Sequence, residues 1–171
     1  YKFKINMPGR IQIYNAVTAY YALKELTAKG FNIPYDVMQA EMSRAKMPAR
    51  IEHISSDPDV FIDGGHNVDG IKNLTNYLSK YYNGRKITFI TGMMSDKDIE
   101  GSLKIFLPIA NTFISAAPNQ ARAKNAEDLA AIARSLFNGN VIAAPSVEDA
   151  LKIAFNSLKD HDVLVIMGSL F

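Results

Sequence analysis

Residues 59–67 read Asp59-Val60-Phe61-Ile62-Asp63-Gly64-Gly65-His66-Asn67, and a helical pattern begins just beyond them, near Val68. An apolar run that leaves a buried sheet and turns sharply into a helix needs glycine in the turn, and Gly64 and Gly65 supply it. The following helix start offers free N–H groups and partial positive charge, which suits an anion such as a phosphate. The corner therefore places one acid, Asp63, and one imidazole, His66, at the mouth of a sheet.

Working outward, the same alternation recurs. Strands are expected at Ile51 to Ile54, Val60 to Asp63, Ile87 to Thr91, Thr112 to Ala116, Val141 to Ala144 and Val163 to Met167. Helices are expected between them: one with Ile71, Leu74, Leu78 and Tyr81 on a single face, then Lys97 to Phe106, Ala126 to Phe137 and Val147 to Leu158. Ser95 with Asp98, and Ser146 with Asp149, have the spacing of capping boxes. Strands apolar on consecutive residues, such as 87–91 and 163–167, suit burial on both faces. The fold expected is α/β: a doubly wound, mostly parallel sheet with helices on both faces. A helical segment precedes it, with Ile11 to Lys29 closed by Gly30, and Asp36 to Ala45 bracketed by Pro34 and Pro48. In such sheets ligands bind beyond the carboxyl ends of the strands, which directs attention to residues 63–67, 92–98, 118–124 and 168–171.

The chain has 171 residues, 48% hydrophobic and 21% charged, enough for one well-buried α/β domain with a modest extension. Lys and Arg exceed Asp and Glu by only 19 to 17, which gives no case for a nucleic-acid or membrane surface. The absence of cysteine excludes disulfides, thiolate zinc sites and a cysteine nucleophile. With no apolar run of membrane-spanning length and no signal peptide, a cytoplasmic location is expected. The chain starts at Tyr1 and stops at Phe171, directly after the run 163–167, and is expected to be a piece of a longer one.

Asp63 and His66 are close enough in sequence to share a ligand, the carboxylate accepting from ribose hydroxyls; the alternative is a structural turn in which Asp63 and Asn67 cap the helix. Arg50 can reach a phosphate with a bidentate guanidinium, or lie solvated at the surface. Lys97 sits between two acids at a helix start, where a cation opposes the dipole, so it either points to solvent or holds an anionic substrate. Arg122 lies in a loop after a strand and is either a further anion ligand or a surface arginine. Ser169, in Gly168-Ser169-Leu170, offers a hydroxyl to a carboxylate, without the Gly-x-Ser-x-Gly setting of a hydrolase nucleophile. No metal ligand set is expected, since three histidines occur without paired ligand spacing.

Taken in order, Asn15 in Asn-Ala-Val-Thr-Ala, Met47-Pro48-Ala49-Arg50-Ile51-Glu52, Asp63-Gly64-Gly65-His66-Asn67, Ser95-Asp96-Lys97-Asp98 and Gly168-Ser169-Leu170-Phe171 resemble the folylpolyglutamate synthase and dihydrofolate synthase family of the Mur ligase superfamily. The resemblance covers almost the whole chain. It departs at Ala49, Gly65, Val68 and Phe171, where the family usually has Gly, Ala, Pro and Tyr. It implies a Rossmann-like Mur ligase C-terminal domain over residues 47–171, preceded over 1–46 by the helical end of the central ATPase domain.

The activity so implied is ATP-dependent ligation of L-glutamate to folate or dihydropteroate: a carboxylate is phosphorylated, and the acyl phosphate is attacked by the glutamate amine. Asn15 would face the base, Arg50 the phosphates and Asp63 the ribose, with His66 beside them. Lys97, Arg122 and Ser169 would receive glutamate, and His66 and Lys97 are the candidate catalytic residues. ATP and Mg²⁺ are the cofactors implied, the metal ligands and phosphate loop lying in an N-terminal ATPase part absent from this chain, which is the expected partner. The chain alone is then expected to fold without turnover. Two rival readings are a non-catalytic nucleotide- or partner-binding α/β module, and a hydrolase built on Asp63 and His66 that works without ATP.

Overall fold

The strand Val163–Gly168 alternates its side chains between two apolar layers: Val163, Val165 and Met167 enter one, Leu164 and Ile166 the other. A strand can be apolar throughout only if both of its faces are covered, and here both are. The structure, a computed structural model, describes residues 2–65 and 67–168. It divides into two compact units, Tyr1–Arg50 and Ile51–Phe171.

The first unit carries α1 (Ile11–Ala28) and α2 (Tyr35–Arg44). Gly30, with φ of +94°, takes the left-handed turn beyond α1. Phe3 packs against Tyr20 and Tyr35 at ring distances of 4.9 and 5.5 Å. Much of α1 leaves its apolar side chains in solvent, among them Ile13, Tyr14, Val17 and Tyr21.

The second unit is a six-stranded sheet: β1 (Glu52–Ser56), β2 (Asp59–Asp63), β3 (Ile87–Gly92), β4 (Thr112–Ala116), β5 (Asn140–Ala144) and β6 (Val163–Gly168). Their order across the sheet is β1-β2-β6-β3-β4-β5. β1 pairs antiparallel with β2, and every other pair is parallel. Helices α3 (Val68–Tyr81), α4 (Ile99–Phe106) and α5 (Ala126–Leu136) join β2 to β3, β3 to β4 and β4 to β5. Each of these steps advances along the sheet, whereas α6 (Val147–Ser157) returns the chain from β5 to β6. Right-handed crossovers that advance and return must use opposite faces, so α6 packs alone on the second face. Phe61, Phe89, Phe106 and Phe113 fill the layer under α3–α5, while Ala150 and Ala154 let α6 lie close to Ile90, Ile114 and Leu164.

Three expectations need correction. α4 begins at Ile99 rather than Lys97, because the Asp98 carboxylate accepts the Gly101 N–H and starts the helix there. Ser95 consequently caps nothing; its own amide donates to the Arg122 carbonyl and keeps it in the preceding loop. Tyr81 does not share the buried face of α3, being 60% exposed. Ten residues after Ile71 it has rotated roughly 80° away from that residue's direction, past the edge of the buried arc. Among the described residues no helix is long and apolar enough to cross a membrane.

Candidate active site at the carboxyl rim of the sheet

The parallel strands β2, β6, β3 and β4 end together, so that the turns after them share one rim. Asp63 is the last residue of β2 and is only 5% exposed. Its Oδ2 accepts the backbone N–H of Ile51 at 2.8 Å, and its Oδ1 accepts that of Gly65 at 2.7 Å. It does not cap α3. That task falls to Asn67, whose Oδ1 accepts from Gly70 N at 2.8 Å. Of the two capping residues in the turn reading, the structure bears out one and gives the other a different pair of amides.

The bond to Ile51 explains why β1 starts at Glu52, one residue later than the apolar pattern suggests. Ile51 has a φ of +51° and Ala49 one of +53°, a left-handed setting that β-branched Ile51 rarely adopts. Its amide is satisfied by a carboxylate rather than by the strand ladder, and its side chain is 98% buried, at 2% exposure. Arg50 lies between these two residues, half-buried, and makes no ion pair among the described residues.

On the face covered by α3 and α4, Gly65, Met93, Lys97, Ser102 and Gly168 line one small cavity of about 10 Å³, room for a single water. The structure thus brings Lys97 to the Asp63 corner. Its ammonium stands 3.8 Å from Asp96 Oδ2, a loose pairing at a half-exposed position. Arg122 is carried to the same rim by a zipper between the loops after β3 and β4. Ser95 N donates to Arg122 O at 2.9 Å, Lys124 N to Met93 O at 2.8 Å, and Met94 bridges Ala123. The Arg122 side chain is exposed and makes no ion pair among the described residues.

Asn15 belongs to the first unit, on α1, where its Nδ2 donates to Gln12 Oε1 at 3.0 Å. His66 and Ser169 lie outside the described residues. Among those described, no group of three or more His, Asp or Glu is placed to hold a metal ion.

Two glycines open the stretches 92–98 and 168–171 that the sequence marked for attention, without a role assigned to either. Gly92 and Gly168 line both the small cavity and a larger crevice of about 160 Å³ on the α6 face, walled by Ile62, Ile90, Ala116, Pro118 and Ile166. A glycine at the carboxyl end of a buried strand is the signal for such a close approach of backbones.

Known proteins share this fold. The chain is 28% identical over 155 residues to a dihydrofolate synthase/folylpolyglutamate synthase of Mycobacterium tuberculosis, covering 89% of this chain and 32% of the relative. Its fold superposes on a Mycobacterium tuberculosis folylpolyglutamate synthase complexed with ADP at a TM-score of 0.88 and 27% identity, over 96% of this chain and 39% of that one. An E. coli FolC in complex with DHPP and ADP matches at a TM-score of 0.81 and 26% identity, over 91% of this chain and 36% of that one. The chain spans about a third of the length of the curated relatives it matches. The model described as the Mur ligase, glutamate ligase domain matches residues 49–170, well over half of the chain, and the chain belongs to that family.

Proposed function

We propose that this chain is the glutamate ligase part of an ATP-dependent ligase that joins L-glutamate to the carboxylate of folate or dihydropteroate through an acyl phosphate. The observation that carries the reading is the rim itself, where the Asp63 corner, Lys97 and Arg122 meet at the carboxyl ends of parallel strands in a Mur ligase domain. Two anionic substrates and a phosphate must approach one another there, and cations lower the cost of bringing those charges together.

In this reading residues 47–171 form the ligase domain and 1–46 the helical end of an ATPase domain completed by the rest of the protein. The apolar side chains that α1 leaves in solvent, around a groove lined by Phe3, Ile5, Val17 and Tyr21, support that division, because a soluble surface rarely carries such a patch uncovered. Asn15 faces the base, Arg50 the phosphates and Asp63 the ribose, with His66 beside them. A half-buried guanidinium that makes no ion pair among the described residues fits a nucleotide's phosphates. Lys97, Arg122 and Ser169 hold the incoming glutamate, and His66 and Lys97 act at the reacting groups. ATP supplies the activation of the carboxylate, with Mg²⁺ held by residues outside this chain, and the reaction is cytoplasmic.

The test is glutamate ligation by the complete gene product carrying this chain, with tetrahydrofolate and dihydropteroate compared. Arg50→Ala is expected to raise the KM for ATP, and Lys97→Ala or Arg122→Ala that for glutamate, each by about tenfold or more for the loss of a charged hydrogen bond. Full activity in all three variants would remove the site, and ADP binding without ligation would favour the non-catalytic module.

A further inference from the structure

A serine inside a helix commonly returns its hydroxyl to the helix backbone. Ser43, Ser135 and Ser157 do so here, each donating to the carbonyl three residues back, at 2.7, 2.7 and 2.9 Å. Ser102 on α4 does not. Its amide donates to Asp98 O at 3.1 Å, but its Oγ makes no hydrogen bond with any described residue, although Ser102 is only 4% exposed. A buried hydroxyl left in that state costs free energy, which a ligand atom bonded to it would recover.

The place for such an atom is the small cavity that Ser102 lines together with Lys97, where Gly65, Gly92 and Gly168 bring bare backbone to the wall. All of these residues belong to the second unit. Lys97 is the one charged residue of the lining, and no acid is part of it. Ile71 and Met93 supply apolar surface, against which a hydrogen bond is stronger than in water. At about 10 Å³ the cavity admits one oxygen-sized atom and leaves no room for a whole phosphate.

From this arrangement we propose that Ser102 is a further substrate-binding residue: one carboxylate oxygen of the incoming amino acid enters the cavity, accepts a hydrogen bond from the Ser102 hydroxyl and lies beside the Lys97 ammonium. The inference rests on the reading that Lys97 receives glutamate, and it gives that site its buried end. One cation, one hydroxyl donor and no acid suit an anionic oxygen and disfavour an ammonium.

The experiment is glutamate ligation by the complete gene product, with the KM for glutamate and for ATP measured separately. Ser102→Ala removes the hydroxyl with little change in size, and alanine is the better helix former, so α4 is kept. The KM for glutamate is expected to rise about tenfold, for the loss of a hydrogen bond to a charged group, while kcat and the KM for ATP stay within about twofold. A wild-type glutamate KM in Ser102→Ala beside a raised one in Lys97→Ala would overturn the inference and leave the ligase reading in place, the cavity then holding water only. An unchanged glutamate KM in Lys97→Ala would overturn the reading of that lysine and the inference with it. A KM for ATP raised in Ser102→Ala as much as that for glutamate would mark a general distortion of the rim and equally overturn the role of the hydroxyl.

Discussion

Gly168 lies directly across from Gly92 where β6 and β3 end, so close that a Cβ on Gly168 would stand 2.5 Å from the Gly92 carbonyl oxygen. Gly92 is pressed from the other side: its own Cβ would meet Ala116 O and Pro118 Cδ, each at 2.7 Å. Backbone atoms cannot swing aside as a long side chain can, so either substitution must push strands apart. Gly92→Ala is expected to destabilise the domain by about 1–3 kcal/mol, the usual range for overpacking. Gly168→Ala should cost about 1–2 kcal/mol more, because its φ of +140° is also closed to alanine. Urea unfolding should show lowered midpoints with unchanged slopes. A midpoint equal to the wild type's for Gly168→Ala would mean that the rim is not built as described.

Tyr77 and Tyr82 flank Phe61 at the other end of the sheet, with ring distances of 6.2 and 5.1 Å. Burial, before any other cause, pushes both hydroxyls above their ordinary value of 10.0, and the nearby negative charge of Asp59 adds to it. The folded state therefore keeps these protons at pH values where the unfolded chain has released them. Their contribution to stability is fully present below pH 10 and is lost as pH rises from there through the raised values. Tyr77→Phe and Tyr82→Phe should each flatten the alkaline decline in stability, measured as unfolding midpoint against pH between 9 and 11.5, roughly the range over which such groups titrate. An alkaline limb identical in the double variant would assign that decline to other groups.

How much of this could be read from the sequence depended on whether a feature is local. Strands such as β4 and the alternation into α5 and α6 were legible, because burial on both faces writes apolar residues without interruption and each crossover helix writes its own period. The Ser146 cap was legible as well: Ser146 Oγ accepts Asp149 N at 3.0 Å, three residues on. The similar pattern at Ser95 failed because a contact distant in sequence, Ser95 N to Arg122 O, decides what that serine does. Asp63 shows both outcomes within one side chain. Its bond to Gly65, two residues away, belongs to a turn that the glycines announce; its bond to Ile51, twelve residues back, could only appear once β1 and β2 were laid side by side. The sheet order was hidden for the same reason, since no local pattern says that β6 inserts between β2 and β3.

Arg85 gives a test of where the candidate site ends. Its guanidinium spans the amino end of the sheet, donating from Nη1 to Asp59 Oδ2 at 2.6 Å, from Nε to His161 O at 2.5 Å and from Nη2 to Asp162 O at 3.3 Å. It also lies over the Tyr82 ring, 5.1 Å from the centroid. Asp59 begins the strand that Asp63 ends, and four residues of extended chain separate the two by about 13 Å. Arg85→Ala leaves the mostly buried Asp59 carboxylate with His53 Nε2 as its remaining side-chain partner, at 2.5 Å. The expected cost is about 2 kcal/mol, in line with losing a partly buried charged hydrogen bond. Arg85→Lys should recover less than half of it, because one ammonium cannot reach a carboxylate and two carbonyls in a planar fork. ADP affinity of the complete gene product should be unchanged in both variants under conditions where they remain folded. A tenfold loss of ADP affinity in folded Arg85→Lys would show that the amino end of the sheet is coupled to the rim, and the candidate site would then have to extend through β2.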